Sequence, residues 1–256
     1  MRISIVQYDI VWEDKEANFD RIEKIISGSK AGSDIIILPE MFTTGFSMNA
    51  GSLAEEPGSL TSAWMSDLAV SSDAAVCGSY IVRERGLFFN RWIFVTPGGE
   101  TYIYDKRHLF SMGGEDKVFS AGKERLVFSF RGIRIFPIVC YDLRFPVWSR
   151  NRDEYDLLIC SANWPARRML VWDTLLRARA IENQCFVAGS NRLGKDATGL
   201  EYTGGSIIYG ASGEVLAGLP SEHEGLVEAE PDLAQLSDLR KKFPVMKDAD
   251  DFTIKV

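Results

Sequence analysis

The stretch Asp34-Ile35-Ile36-Ile37-Leu38-Pro39-Glu40 decides the fold. Its apolar run leaves no polar face, the pattern of a strand covered on both sides rather than one that turns a side to water. It stops abruptly at a carboxylate. Working outward, residues 2–10 read as a preceding strand, and residues 14–30 as an amphipathic helix with Phe19, Ile22, Ile25 and Ile26 on one face and Gly28 and Gly32 helping to end it. On the other side, residues 59–71 read as a second helix and 74–82 as a third strand carrying Cys77. Strands separated by helices place the chain among the α/β folds.

Hairpins interrupt this alternation further along. Residues 88–96 and 101–105 pair through Pro97-Gly98-Gly99 and lead into Lys106. Strands over 125–130 and 133–140, a short helix from about Pro146, a strand over 156–162, a long helix over 169–184 and a strand over 185–190 follow. A hairpin of 205–209 with 214–217 comes next, and from Pro231 the chain turns polar and partly helical, with the composition of an arm that packs outward. Together these point to an α/β layered sheet of mixed direction. Gly189-Ser-Asn-Arg-Leu-Gly194-Lys195-Asp196 nearly spells a phosphate-binding loop, but Asp196 stands where Ser or Thr should ligate magnesium, so the stretch reads as an ordinary loop.

With 256 residues, 46% of them hydrophobic and 25% charged, the chain has the make-up of a globular protein able to bury a large core. No interior linker stands out, and a single domain over 1–256 is expected. The net charge of -7 argues against a nucleic-acid surface, which needs clustered Lys and Arg. Arg240-Lys241-Lys242, flanked by acidic residues, reads as a solvated face. The chain opens Met1-Arg-Ile-Ser-Ile-Val-Gln7 as a strand, without the charged and apolar regions of a signal peptide, and no run reaches the length of a membrane span. A cytoplasmic location and no membrane partner are expected. The cysteines at 77, 140, 160 and 185 form no C-x-x-C pair, so a zinc knuckle or redox dithiol is not expected, and Cys77, Cys160 and Cys185 read as core.

Cys140 differs from the other three. Ile133-Arg-Ile-Phe-Pro-Ile-Val-Cys140-Tyr-Asp-Leu-Arg-Phe-Pro146 reads as a buried strand delivering a thiol to a polar turn, with Pro137 pointing to an edge position or a bulge. Glu40 and Lys106 also end strand-like runs, and reactive groups gather at the carboxyl ends of strands in open α/β sheets. A glutamate of ordinary pKa about 4.3 is a poor base for a thiol of about 8.5, a gap of about 6 kcal/mol. Burial of the carboxylate and an ammonium beside the thiol would close that gap from both sides. The same ammonium, with the Tyr141 backbone N–H, could meet an oxyanion formed when the thiolate attacks a carbonyl, and the glutamate could then protonate a leaving amine and activate water. Such chemistry needs neither metal nor cofactor. There is no G-x-S-x-G; His223 reads as solvated and His108, on the same face as Lys106, as a hydrogen-bonding residue.

These residues carry a resemblance. Leu38-Pro39-Glu40, Tyr104-Asp-Lys106-Arg-His-Leu-Phe110 and Ile138-Val-Cys140-Tyr-Asp-Leu-Arg-Phe145 resemble, in order, the three catalytic motifs of the nitrilase (carbon-nitrogen hydrolase) superfamily, along nearly the whole chain. The resemblance implies a four-layer αββα sandwich with two mixed sheets flanked by helices, paired into a homodimer or higher homo-oligomer, with the arm at about 231–256 contributing to the pairing. It implies Glu40 as general base, Lys106 as oxyanion partner and Cys140 as nucleophile, with Glu115 of Gly113-Gly114-Glu115-Asp116 holding Lys106 or the substrate and Asp116 inheriting no role.

Ser161-Ala-Asn163-Trp164-Pro165-Ala-Arg167-Arg168, Arg177-Ala-Arg179-Ala-Ile-Glu-Asn183 and Phe243-Pro-Val-Met look similar to the ω-amidase branch. That branch hydrolyses 2-oxoglutaramate and 2-oxosuccinamate to the oxo-dicarboxylate and ammonia, a role in metabolite repair or methionine salvage. A carboxylate remote from the amide would be gripped by Arg167 or Arg168, and Phe46, Met112 and Trp164 would shape the pocket. Still open at this point are an amidase for another linear amide (deaminated glutathione or an N-carbamoyl compound), a nitrilase, and a catalytically silent assembly module.

Overall fold

The computed structural model describes residues 1–28 and 32–255. The first half of the chain supplies β1 (Ile3–Gln7), α1 (Lys15–Ser27), β2 (Ile35–Ile37), the short α2 (Ala50–Leu53), α3 (Leu60–Ser72), β3 (Ala75–Glu84), β4 (Leu87–Val95) and β5 (Thr101–Asp105). The second half supplies β6 (Phe128–Phe130), β7 (Ile133–Val139), α4 (Pro146–Ser149), β8 (Leu157–Ala162), α5 (Met169–Asn183) and β9 (Phe186–Asn191). A small ribbon of β10 (Leu193–Lys195) and β11 (Glu201–Thr203) precedes β12 (Ile207–Tyr209), β13 (Val215–Gly218), β14 (Gly225–Ala229) and α6 (Leu233–Lys242).

Two six-stranded sheets result, ordered β14-β1-β2-β3-β4-β5 and β13-β12-β9-β8-β7-β6. Each has three central parallel strands, β1 to β3 and β7 to β9, with antiparallel strands outside them. The expected mixed direction and four layers are both realised. The apolar run before Glu40 forms β2, and its alternate residues face opposite ways: Ile35 and Ile37 join the core between the sheets, while Ile36 joins the core beneath α1 and α3. The inter-sheet core closes through aromatic contacts, with Phe94 meeting Phe128 at 4.9 Å and Phe130 at 5.2 Å between ring centres. On the far side α5 lies so close to the second sheet that a Cβ on Gly189 would stand 2.5 Å from Leu176 and 2.9 Å from Trp172, so a larger residue there would have to displace those side chains.

Local chemistry sets most boundaries. Asp14 caps α1 by accepting from the Ala17 N–H at 3.1 Å, and Gly28 closes it; the expected extension to Lys30 lies outside the described residues. At the start of α3 it is Glu55 that receives the Thr61 N–H, at 2.7 Å. Cys77, Cys160 and Cys185 are core.

Some expectations need correction. Pro137 lies in an interior strand, but β6 ends opposite Ile135, so among the described residues β7 has a strand partner on one side only at that point. The stretch read as a loop at 189–196 is the end of β9 followed by β10, paired to β11 and bridged at Leu193 to Asp9. Its turn residues hid two short strands. β14, which the sequence reading passed over in an acidic stretch, pairs antiparallel with β1 from Ile3↔Ala229 to Gln7↔Gly225. Arg240 is no solvated residue: its guanidinium meets Asp156 at 2.7 Å and the carbonyls of Gln184 and Tyr155. Leu236, beside it on α6, is also buried against its own chain.

Candidate active site

Four strands deliver polar groups to one place. Glu40 follows β2, Lys106 follows β5, Cys140 follows β7 and Asn163 follows β8, so both sheets contribute through their carboxyl ends. Glu115 comes from a 3₁₀ turn over Glu115–Lys117. The side chains of Glu40, Lys106 and Glu115 are completely buried, with Lys106 Nζ 2.7 Å from Glu40 Oε1 and 2.9 Å from Glu115 Oε2. Buried charges persist only when paired and fully hydrogen-bonded. Here Glu115 also accepts the Phe110 N–H at 2.6 Å, and Glu40 Oε2 accepts the Asn163 N–H at 2.9 Å.

The nucleophile candidate sits in a strained turn. Cys140 has φ 45°, a left-handed conformation that costs a non-glycine residue about 1–3 kcal/mol and persists only where its surroundings hold it. Asp142 provides the hold. Fully buried, it accepts from the Val139 N–H at 3.0 Å, the Tyr104 hydroxyl at 2.7 Å, and His108 through both its N–H at 2.8 Å and ring Nδ1 at 2.7 Å. Tyr104 and His108 flank Lys106 at two residues' distance, so one carboxylate ties the cysteine turn to the lysine segment. The His108 ring stacks on Phe145 at 3.8 Å, fitting the hydrogen-bonding role read from the sequence. Tyr141 is the second residue of the 3₁₀ segment Cys140–Arg144, in the first turn, where N–H groups lack an acceptor inside the helix.

The electrostatics correct one expectation. Burial works against the Lys106 ammonium, but Glu115 and Glu40 outweigh it and keep it protonated far above the usual lysine range. Burial raises the pKa of Glu115, and the charge of Glu40 adds to this against the pull of Lys106. Burial likewise pushes the Cys140 thiol well above its usual range; the Glu40 charge raises it further, and Lys106 pulls it down without prevailing. The resting cysteine is therefore a thiol. Its proton must leave as the sulfur attacks, to a base already in place.

Cys140, Glu40 and Lys106 open onto a pocket whose other walls include Phe46, Phe110, Trp164, Arg144, Arg168 and Tyr202. Of the pocket residues expected from sequence, Phe46 and Trp164 line it, Phe46 with its ring 5.3 Å from Lys106 Nζ. Met112 is 85% exposed and does not line it. Arg168 lines the pocket over the Phe110 ring, whereas the neighbouring Arg167 points to solvent. Sequence reasoning missed Arg144, whose guanidinium stacks on Trp164 at 5.1 Å; its place in the Cys-Tyr-Asp-Leu-Arg run was the available signal. It also missed Asn90, Asn163 and Asp142, none of which stands out until the strands are brought together. Among the described residues neither Arg144 nor Arg168 has a carboxylate partner. Burial, joined by the like charges of Arg167 and Arg144, outweighs the pull of Cys140 and lowers the Arg168 pKa, a state that a bound anion would relieve. Among the described residues no cluster of His, Cys, Asp and Glu is arranged to hold a metal, and no helix is long and apolar enough to cross a membrane.

Comparison with known proteins gives the same picture. The profile of the carbon-nitrogen hydrolase family matches residues 2–241. The chain is 43% identical over 254 residues to omega-amidase YafV of Escherichia coli strain K12, covering 99% of this chain and 98% of that one. It is 36% identical to the 2-oxoglutaramate amidase of Bacillus subtilis strain 168, covering 96% of each. The crystal structure of XC1258 from Xanthomonas campestris, a CN-hydrolase superfamily protein with an arsenic adduct in its active site, superposes with a TM-score of 0.96 at 42% identity, covering 100% of this chain and 99% of that one.

Proposed function

The chain belongs to the carbon-nitrogen hydrolase family, and on that ground we propose that it is an ω-amidase, releasing ammonia from the terminal amide of 2-oxoglutaramate or 2-oxosuccinamate through a thioester on Cys140. The observation that carries the substrate class is the pair Arg144 and Arg168. Two arginines that have no carboxylate partner among the described residues line the pocket that also holds the thiol, as a substrate with an amide at one end and a carboxylate at the other requires.

The reaction follows from the buried cluster. Glu40 takes the Sγ proton as sulfur attacks the amide carbon; the S–C bond forms and the carbonyl electrons move onto oxygen. Lys106 and the Tyr141 N–H meet that oxyanion. Glu40 returns the proton to nitrogen as the C–N bond breaks, and ammonia leaves a thioester behind. Water then attacks with Glu40 as base, the C–S bond breaks, and Glu40 passes the water proton to the sulfur. Glu115 keeps Lys106 charged and in place, 2.9 Å away. The cycle uses no metal or cofactor.

The test is ammonia release by purified protein from 2-oxoglutaramate, with Cys140→Ala as the blank. Rapid turnover of nitriles or carbamoyl amides with none of 2-oxoglutaramate would refute the substrate assignment, and turnover by the alanine variant would refute the mechanism. The reading also includes a cytoplasmic location, and a homodimer or higher homo-oligomer, the latter supported by the exposed Val147 of α4 and Ile181 of α5 and by the largely exposed arm after α6.

A further inference from the structure

Asn90, on β4, is completely buried and does not line the pocket. Its Nδ2 lies 2.9 Å from Glu40 Oε1 and 3.1 Å from Glu115 Oε1, while its Oδ1 meets no donor among the described residues. A primary amide offers two donors and one acceptor. This one places both N–H groups on carboxylates and leaves its carbonyl unpaired, an arrangement that is stable only while both carboxylates are acceptors. Were either to carry a proton, that O–H would be a donor for the idle Oδ1, and the amide would gain by turning.

We propose that Asn90 is a positioning residue of the hydrolysis, holding Glu40 and Glu115 ionised together around Lys106 and leaving the second oxygen of Glu40 to receive the thiol proton. The proposal rests on the role given to Glu40 above. The charged and titratable groups facing this amide are Glu40, Glu115 and Lys106, with Cys140 beyond Glu40. Two carboxylates sharing one ammonium repel each other, and a neutral double donor between them reduces that cost without adding a charge. It also distinguishes the two oxygens of the base. Oε1 of Glu40 already accepts from Lys106 at 2.7 Å and from Asn90; among the described residues Oε2 accepts the Asn163 N–H at 2.9 Å, which leaves it a lone pair for the thiol proton. When the S–H bond breaks, the new O–H bond forms on Oε2 and the electron pair stays on sulfur.

The experiment compares Asn90→Ala and the shape-matched Asn90→Asp with wild type by two measurements. One is the pH dependence of kcat/KM for whichever amide the enzyme turns over; the other is the rate at which iodoacetamide alkylates Cys140, which needs no substrate. Without the bridging amide the carboxylate pair takes up a proton at higher pH. The acid limb of kcat/KM should move up by about one pH unit in Asn90→Ala, and at least as far in Asn90→Asp, where a third carboxylate enters. Turnover should recover to within a few-fold of wild type near pH 9, and in Asn90→Ala alkylation near pH 7 should become several-fold faster because less negative charge faces the thiol, whereas in Asn90→Asp the added carboxylate offsets that gain. A loss spread evenly across pH, with the limb and the alkylation profile unmoved, would mean that Asn90 only fills space and would overturn the proposal. A wild type that releases no ammonia from any amide would refute the function instead, and the alkylation profiles would still decide the role of Asn90.

Discussion

Replacing Asp142 by alanine should unfold the connection between nucleophile and lysine before it unfolds anything else. The carboxylate receives four hydrogen bonds. Without it the Val139 N–H and the Tyr104 O–H are stranded in the interior, and each buried, unpaired donor costs about 1–3 kcal/mol. His108 is partly exposed, with 22% of its side chain accessible, so water recovers most of its two bonds. The expected loss is therefore about 2–6 kcal/mol, a large share of the roughly 5–15 kcal/mol by which folded domains are stable. Tyr104→Phe leaves Asp142 three donors but strands the buried Trp148 indole N–H, which donates to the Tyr104 hydroxyl at 3.0 Å, and should itself cost about 1–3 kcal/mol. Urea unfolding at constant slope measures both. Activity should fall further than stability alone explains, because the Val139 anchor holds Cys140 at its positive φ. Asp142→Asn should not rescue, since an amide turns a donor toward groups that are themselves donors. An alanine variant within about 1 kcal/mol of wild type would refute the reasoning.

Two further outcomes follow from named contacts. Arg168→Ala should raise KM for 2-oxoglutaramate by about 10–100-fold, the equivalent of a lost charged hydrogen bond of about 1.5–3 kcal/mol, while turnover of a small neutral amide stays unchanged; equal damage to both substrates would show that Arg168 only supports the pocket wall. Burial alone would raise the pKa of Asp156, but hydrogen bonds from Arg134 and Arg240 outweigh it and hold the carboxyl below the usual range. A depressed carboxylate contributes stability that is complete above its ordinary pKa of about 3.9 and is lost as pH falls through the folded value. Melting temperature should thus fall less steeply below about pH 4 in Asp156→Asn than in wild type, and parallel curves would count against this account.

What could be read in advance was what each segment decides locally. The covered run at Ile35–Ile37, the caps of α1, the hairpin from β4 to β5 and the strand ending at Cys140 all announce themselves through periodicity and turn chemistry. Glu40, Lys106 and Cys140 were legible because each interrupts an apolar strand at its end. Contacts between distant segments were not. Nothing in Phe88-Phe-Asn90-Arg marks Asn90 as a bridge between residues 40 and 115, and Arg240 looked solvated until Asp156 was placed beside it. The direction of the Cys140 shift was misjudged for the same reason: the sequence names the charged neighbours but not the burial that outweighs Lys106. β14 was missed because an acidic edge strand carries little apolar pattern.

The pairing of β1 with β14 ties Ile3 to Ala229, and it bears on the making of this protein. At roughly 5–20 residues per second on the ribosome, Ala229 is made on the order of ten to fifty seconds after Ile3. Throughout that interval the first sheet waits, its leading strand without its last neighbour. Glu40 and Lys106 hang from that sheet, while Cys140 and Asn163 hang from the other. A nascent chain thus carries its base and its lysine before its thiol, and brings them together only when the sandwich closes, so that hydrolysis is a property of the folded sandwich and not of the first sheet alone.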